Sequence, residues 1–358
     1  MVSTVSHHDK LVFLPPNRVW RSYLGGSTLE RLAGTEAPQD SHMSEDWIGS
    51  VTRAINPGRE EISEGVSQVQ VGEETMDFKS LIEADPEYFL GADHVAKYGP
   101  NPMLLIKFLD PSIRLHFQCH PSNDFAQRFL NSPSGKTEAY HVLAVREDEP
   151  NPYIYVGFQQ PPSEQELKAV IEEQNIAALE ACFKPIRVQP GDTFLIPGGT
   201  PHALGPGIFM VEIQEPTDFV VRFEYERGGY VLPEAARFMG RDVDFGLSMV
   251  DRTAYSLEGV ASKFACPARA RRTLSQKSWT ETLIGSDQTP CFEVHQTHVE
   301  ESISSAHPSC SINIVTQGEL DVTIQGETHR LRTFDKFLRP AGLGEIQLTP
   351  ITPSARIL

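Results

Sequence analysis

The sequence predicts a mainly β protein of two sandwich or barrel units, with a few helices packed on the first. Three observations carry that expectation. From residue 100 onward, short apolar runs alternate with Gly and Pro turns, the pattern of packed sheets. A chain of 358 residues exceeds what one core usually holds, since single cores seldom grow past about 250–300 residues. A segment also recurs at an offset of 143 residues. Asp192-Thr193-Phe194-Leu195-Ile196-Pro197-Gly198-Gly199 aligns with Asp335-Lys336-Phe337-Leu338-Arg339-Pro340-Ala341-Gly342, sharing Asp, Phe, Leu, Pro and the second Gly. The expected boundary lies near Asp251, giving units 1–250 and 251–358.

The elements follow in order. The first hundred residues are rich in Gly and Pro and irregular, with Trp20, Gly25-Gly26 and Ser44-Glu45-Asp46-Trp47 as landmarks. A helix is expected over 76–82. Residues 113–120 alternate without a break, so Ile113, Leu115, Phe117 and Cys119 share one face of a strand. Arg114, His116, Gln118 and His120 share the other. Glu138–Val145 reads as another strand. One helix is expected over 163–183, opened by a capping box of Ser163 and Glu166 and striped by Leu167, Val170 and Ile171. A strand ending at Ile196 runs into a Pro-Gly-Gly turn that delivers His202 to the start of the next strand. Strands Ile208–Gln214 and 219–225 and a helix over 233–239 close the first unit. The second unit should hold strands over 292–299, 311–316, 319–324 and 337–339, with Gly318 and Gly326 at turns. Its counterpart of His202 is Glu345, so this copy lacks the histidine.

Burying two imidazoles and an amide on one face is costly unless something binds there. Glu138 and His202 extend the set. Two imidazole nitrogens, a carboxylate and an amide oxygen suit a borderline divalent ion such as zinc.

Composition excludes several classes. Apolar content of 39% with 22% charge is that of an ordinary globular protein. A net charge of −17 disfavours nucleic acid and anionic membranes as partners. No run of apolar residues is long enough to span a bilayer, and the N-terminus lacks the pattern of a leader. Five scattered cysteines without a CxxC pair point to reduced thiols in a cytoplasm. Cys119 reads as a core residue, the basic run Arg269-Ala270-Arg271-Arg272 as a solvated linker, and Trp20 and Trp47 as packing residues. His141, His295, His298, His307 and His329 read as structural or exposed.

The spacing from Gly191 to His202 fits the cupin pattern G-x5-P-x-G-x2-H, which implies a double-sheet jelly roll with a metal in the barrel mouth. With the stretches LHFQCHP (115–121), GKTE (135–138), GTPHALG (199–205) and EIQEPTDFVVR (212–222), the chain resembles type I mannose-6-phosphate isomerases over residues 100 to 228. Weaker similarity reaches Trp20, Glu45-Asp46-Trp47 and the C-terminal unit.

The resemblance implies two cupin-type jelly rolls and one zinc ion per chain, held by Gln118, His120, Glu138 and His202. It implies Glu212, Arg222 and Lys136 as catalytic residues, and His116, Lys136 and Arg222 as substrate-binding residues. The expected partner is a small sugar phosphate, with no nucleic acid or membrane, on a monomer or weak homo-oligomer. One position departs: the family usually has a serine, associated with the phosphate, where this chain has His116. That residue either replaces the serine's hydrogen bond, adds charge as a cation, or signals another sugar. Three readings therefore stand beside the isomerase: a cupin isomerase of another sugar or sugar phosphate, a non-catalytic sugar-binding cupin, and an iron cupin oxygenase, whose usual facial triad fits a Gln ligand poorly.

Overall fold

Strands Glu138–Val145 and Ile208–Gln214 form the centre of the first sheet, their residues alternating between two buried faces. This sheet has six strands, in the order Thr193–Ile196, Glu138–Val145, Ile208–Gln214, Leu105–Leu109, Glu45–Ile48 and Arg18–Val19. A second, five-stranded sheet runs Ile186–Arg187, Tyr153–Val156, His202–Leu204, Gln118–Cys119 and Val221–Arg222. All pairings in both sheets are antiparallel. The computed structural model describes residues 8, 10–71, 74–307 and 309–358. Residues 1–7, which carried the expectation of no leader, lie outside the described residues.

Three apolar layers hold this sandwich. Between the sheets, Tyr140, Val142 and Met210 of one meet Ile154, Val156 and Leu204 of the other. On the outside of the five-stranded sheet, Phe117, Tyr155, Ala203 and Phe223 are covered by Leu167, Ile171, Leu179 and Phe183. The outer face of the six-stranded sheet offers Ala139, Phe209, Val211 and Ile213, packed on Phe78, Leu81 and Ile82 and on Leu283, Phe292 and Ile314 from the C-terminal third of the chain. The site therefore lies on the inner faces, where the packing leaves room for polar groups.

A second sandwich follows. Its seven-stranded sheet runs Val12–Phe13, Lys336–Arg339, Ser311–Gln317, Ala355–Ile357, Val294–Val299, Trp279–Ile284 and Arg269–Thr273. Its four-stranded sheet runs Ile303–Ala306, Glu345–Pro350, Leu320–Ile324 and Glu327–Leu331. The mainly β class expected from the sequence is the one observed. The N-terminal segment reaches across, Val12 pairing with Leu338, and a buried ion pair joins Asp46 to Lys336. Beyond Asp251, the helix Leu257–Phe264 packs back on the first sandwich through Val260 and Phe264. Among the described residues, no helix is long and apolar enough to cross a membrane.

Several elements differ from expectation for traceable reasons. The helix over 163–183 is two helices, Glu164–Glu172 and Ile176–Ala181; its capping box is present. The break falls at Gln174, which takes a positive φ of 52°. Its side chain then donates to Phe223 O and accepts from Tyr225 N. These side-chain bonds take the place of ladder bonds, so the strand over 219–225 shrinks to Val221–Arg222. Residues 113–120 keep only Gln118–Cys119 as ladder. Upstream, the Glu224 carboxylate takes Phe117 N and the Arg114 guanidinium, and Leu115 N donates to Leu204 O. Residues 76–82 begin as the end of strand Glu74–Asp77, with the helix at Phe78–Ala84 capped by Asp77. Residues 233–239 hold only a 3-10 turn, Glu234–Ala236. The basic run is no linker but the edge strand Arg269–Thr273, with Arg269 paired to Asp287 and Arg271 stacked on Trp279.

Candidate active site

Register brings the site together. His202 lies directly opposite Gln118, and Gln118 directly opposite Arg222, so the three form one row across the five-stranded sheet. In the six-stranded sheet a second row runs Tyr140, Glu212, Lys107 and Trp47. Glu138 lies two residues before Tyr140 and shares its inward face. The turn that presents His202 is pinned against the strand that presents His120. Gly199 N donates to His120 O at 2.7 Å, and Lys136 N donates to Pro121 O at 2.9 Å. The turn needs its glycines: a Cβ on Gly198 would sit 2.5 Å from Pro121 O, and Gly199 has a φ of +91°.

His120, Glu138 and His202 are buried together, with one ligand atom from each within 4.8 Å of the others. Glu138 lies between the rings, Oε2 at 3.2 Å from His120 Nε2 and Oε1 at 3.1 Å from His202 Nε2. Each ring is oriented by a backbone carbonyl: His120 Nδ1 donates to Phe219 O at 2.8 Å and His202 Nδ1 to Thr200 O at 2.9 Å. A carbonyl only accepts, so both Nδ1 atoms carry the proton and both Nε2 atoms present a lone pair to the centre. Burial first, then Lys136, pushes the His120 imidazole down to about 3, keeping it neutral.

The residues fit a metal ion. Glu138 Oε2 is fully buried and has no aligned hydrogen-bond donor, although the Lys136 ammonium stands 3.1 Å away. That ammonium also approaches His120 Nε2 at 3.1 Å, so positive charge already sits among the ligand atoms. Gln118 reaches the same centre, its amide 3.1 Å from His202 Nε2. Tyr140, absent from the sequence reading, donates its hydroxyl to Glu138 Oε1.

A pocket opens beside the triad, lined among others by His116, Gln118, Lys136, Glu212 and Arg222. Glu212 is buried and pairs with Lys107 Nζ at 2.8 Å. Burial raises its carboxyl above the ordinary value, opposed by Lys107 and Lys136. Behind it lies a buried network. Glu45 accepts from Tyr23 and Trp47 at 2.7 Å each and stands 3.3 Å from Arg21, which is bidentate on Asp218. Burial alone would raise the Glu45 carboxyl, but Arg21 and Lys107 hold it below its ordinary value. Arg222 donates to Ala236 O, and burial next to Arg21 pushes its guanidinium down to about 10, still cationic at neutral pH.

His116 lines the same pocket, with Nδ1 donating to Glu224 O at 2.9 Å. Burial and the neighbouring Arg222 push its imidazole down to about 3. The cationic form considered from the sequence is therefore unfavourable here, because burial and the guanidinium groups of Arg222, Arg227 and Arg114 all oppose it. Sequence reasoning missed Lys107, although a lysine inside the apolar run Leu105–Leu109 was the signal. It noted Glu45 only as a landmark. Trp47 is a packing residue with Lys107 4.9 Å over its ring, and Trp20 stacks on His42 and Arg59. Cys119 is buried in the apolar layer under the helices, and His141 is a buried structural histidine bonded to Thr193.

No protein-family model matches the chain. It is 29% identical to the mannose-6-phosphate isomerase of Streptococcus mutans over 330 residues, 90% of this chain and 89% of that one. It is 32% identical to the mannose-6-phosphate isomerase ManA of Bacillus subtilis over 130 residues, 36% of this chain. The matches to ManA and to a second B. subtilis relative, GmuF, span only 39% and 38% of those proteins. Among solved structures, the mannose 6-phosphate isomerase from B. subtilis superposes with a TM-score of 0.73 at 20% identity, covering 97% of this chain and 98% of that one. A mannose 6-phosphate isomerase bound with zinc and yttrium gives 0.67 at 16% identity, with 97% and 98% covered. At those identities the likeness is one of fold.

Proposed function

We propose that this chain, which resembles the type I mannose-6-phosphate isomerases, interconverts mannose 6-phosphate and fructose 6-phosphate. The resident ion would be one zinc per chain, held by Gln118, His120, Glu138 and His202. The observation that carries this reading is a buried carboxylate, Glu212, held by Lys107 in the pocket that the His-Glu-His triad borders.

Isomerising an aldose to a ketose moves a proton between C2 and C1 through an enediol. When bound, the ion supplies Lewis-acid polarisation of substrate oxygens, worth several kcal/mol. Glu212 takes the proton from C2 and returns it to C1, while the hydroxyl proton passes from O2 to O1, so the enediol closes to the ketose with no net gain or loss of protons. A positioned carboxylate of this kind contributes on the order of 10²–10⁴-fold. Burial favours its accepting a proton, and Lys107 Nζ fixes its orientation. Arg222 and Lys136 bring two cations to the anionic substrate and offset charge that develops on its oxygens. Leu109, Leu115 and Val220 give the pocket an apolar part of its wall.

The test is a coupled assay for fructose 6-phosphate formed from mannose 6-phosphate, with chelator and with zinc restored. Activity lost to chelator and regained with zinc supports the reading. Zinc-loaded, folded protein that leaves mannose 6-phosphate unchanged but isomerises another sugar supports the sister-isomerase reading that His116 suggested. Glu212→Gln should lower kcat by about 10²–10⁴-fold while zinc content stays the same. Full activity in that variant would move the base to another group.

A further inference from the structure

His116 has an unused half. The residue is 2% exposed, and its Nε2 is buried with no hydrogen-bond partner among the described residues. Buried ring nitrogens without partners are uncommon, because an unmatched polar group costs about 1–3 kcal/mol. The other nitrogen is committed, since Nδ1 faces Glu224 O and a carbonyl can only accept. In the neutral ring the proton therefore sits on Nδ1, and Nε2, buried with no acceptor beside it to take a second N–H, carries a lone pair. The residue that receives this bond is itself fixed: the Glu224 carboxylate is anchored by Arg114 through two hydrogen bonds of 2.8 and 3.1 Å and by Arg227 at 3.3 Å. The tautomer is thus built into the fold.

A bare Nε2 can only meet a donor. A phosphate dianion offers acceptors alone, and so does a carboxylate. Sugar hydroxyls donate. The pocket's cations, Lys107, Lys136, Arg21 and Arg222, are the groups suited to anionic oxygens, and His116 Nε2 is an uncharged acceptor without a partner beside them. We propose that His116 Nε2 accepts a hydrogen bond from a hydroxyl of the bound sugar, so that this residue reads the carbon chain and not the phosphate. The inference rests on the isomerase reading above.

The experiment uses the zinc-loaded full chain and two readouts. The first is kcat/KM for mannose 6-phosphate, its 3-deoxy and 4-deoxy analogues and unphosphorylated mannose, in the native protein, His116→Phe and His116→Gln. The native protein should reject one deoxy analogue by about 10- to 100-fold. His116→Phe should erase that discrimination by losing activity on the parent sugar only, and His116→Gln, which keeps an acceptor, should restore part of it. Equal losses on parent and deoxy sugars, or a collapse of the preference for phosphorylated over free mannose, overturns the proposal.

The second readout does not need turnover or a variant that folds. The nitrogen NMR resonance of His116 Nε2 should shift when mannose 6-phosphate binds and stay in place with inorganic phosphate. A shift with phosphate alone, or none with the sugar, overturns the proposal. If the native protein binds the sugar with the expected shift but does not isomerise it, the reaction assignment falls and the His116 contact stands.

Discussion

Two β-sandwiches in this chain, of six and five strands and of seven and four, have opposite interiors. In the first, the strand Thr193–Ile196 runs through a Pro-Gly-Gly turn to a buried His202. In the second, Lys336–Arg339 runs through Pro340-Ala341-Gly342 to Glu345, which is exposed and bonded to Ser304. The inner faces follow suit. The first carries Glu138, Tyr140, Glu212 and Lys107, all buried and all paired. The second carries Leu320, Val322, Ile324, Phe337, Leu343, Ile346 and Leu348, an ordinary apolar core. The difference shows that the scaffold does not create a site. A cavity persists only where inward positions hold polar groups that cannot close on one another, and apolar side chains at the same depth simply fill it.

The comparison can be broken hardest at the paired turn positions. His202→Ala should weaken zinc retention and lower activity by more than about 10³-fold, since it removes one of the two imidazole donors and leaves a Gln, His and Glu set. Metal analysis after dialysis checks it, and retained zinc would place the ion elsewhere. A stability contrast comes next. Lys107→Met leaves Glu212 and Glu45 buried with less countercharge and should cost about 3–5 kcal/mol in denaturant unfolding. Leu320→Ala, in the apolar interior, should cost about 2–5 kcal/mol while zinc content and KM stay unchanged. A fall in zinc content there would mean the second sandwich does more than pack. The smallest effect belongs to Glu345→Ala, the exposed counterpart of His202. It should alter stability by no more than about 0.5 kcal/mol and leave activity intact, as measured by melting and the coupled assay.

Two members of the His120, Glu138 and His202 cluster were legible because their signals are local. His120 shares a strand face with Gln118, and the Pro-Gly-Gly turn announces His202, whereas Glu138 rested on the family resemblance. Glu212 and Lys107 illustrate the opposite case. They are 105 residues apart, and only the register of Ile208–Gln214 on Leu105–Leu109 makes them neighbours. The split of the 163–183 helix was equally hidden, because Gln174 leaves helical geometry to serve the backbone of a strand 49 residues away.

Period, turn chemistry and composition thus determined by themselves the β class, the repeat, the capping box, and which strand faces hold donors suited to a metal. The capping box, the turns and the strand faces are written within a few residues, and the repeat and the composition need only the sequence itself. The tertiary structure decided the rest: which carboxylate stands beside which lysine, which tautomer His116 adopts, and which of the two interiors stays open. Those depend on strand register and on the dielectric of a closed pocket, and neither exists until distant segments have packed together.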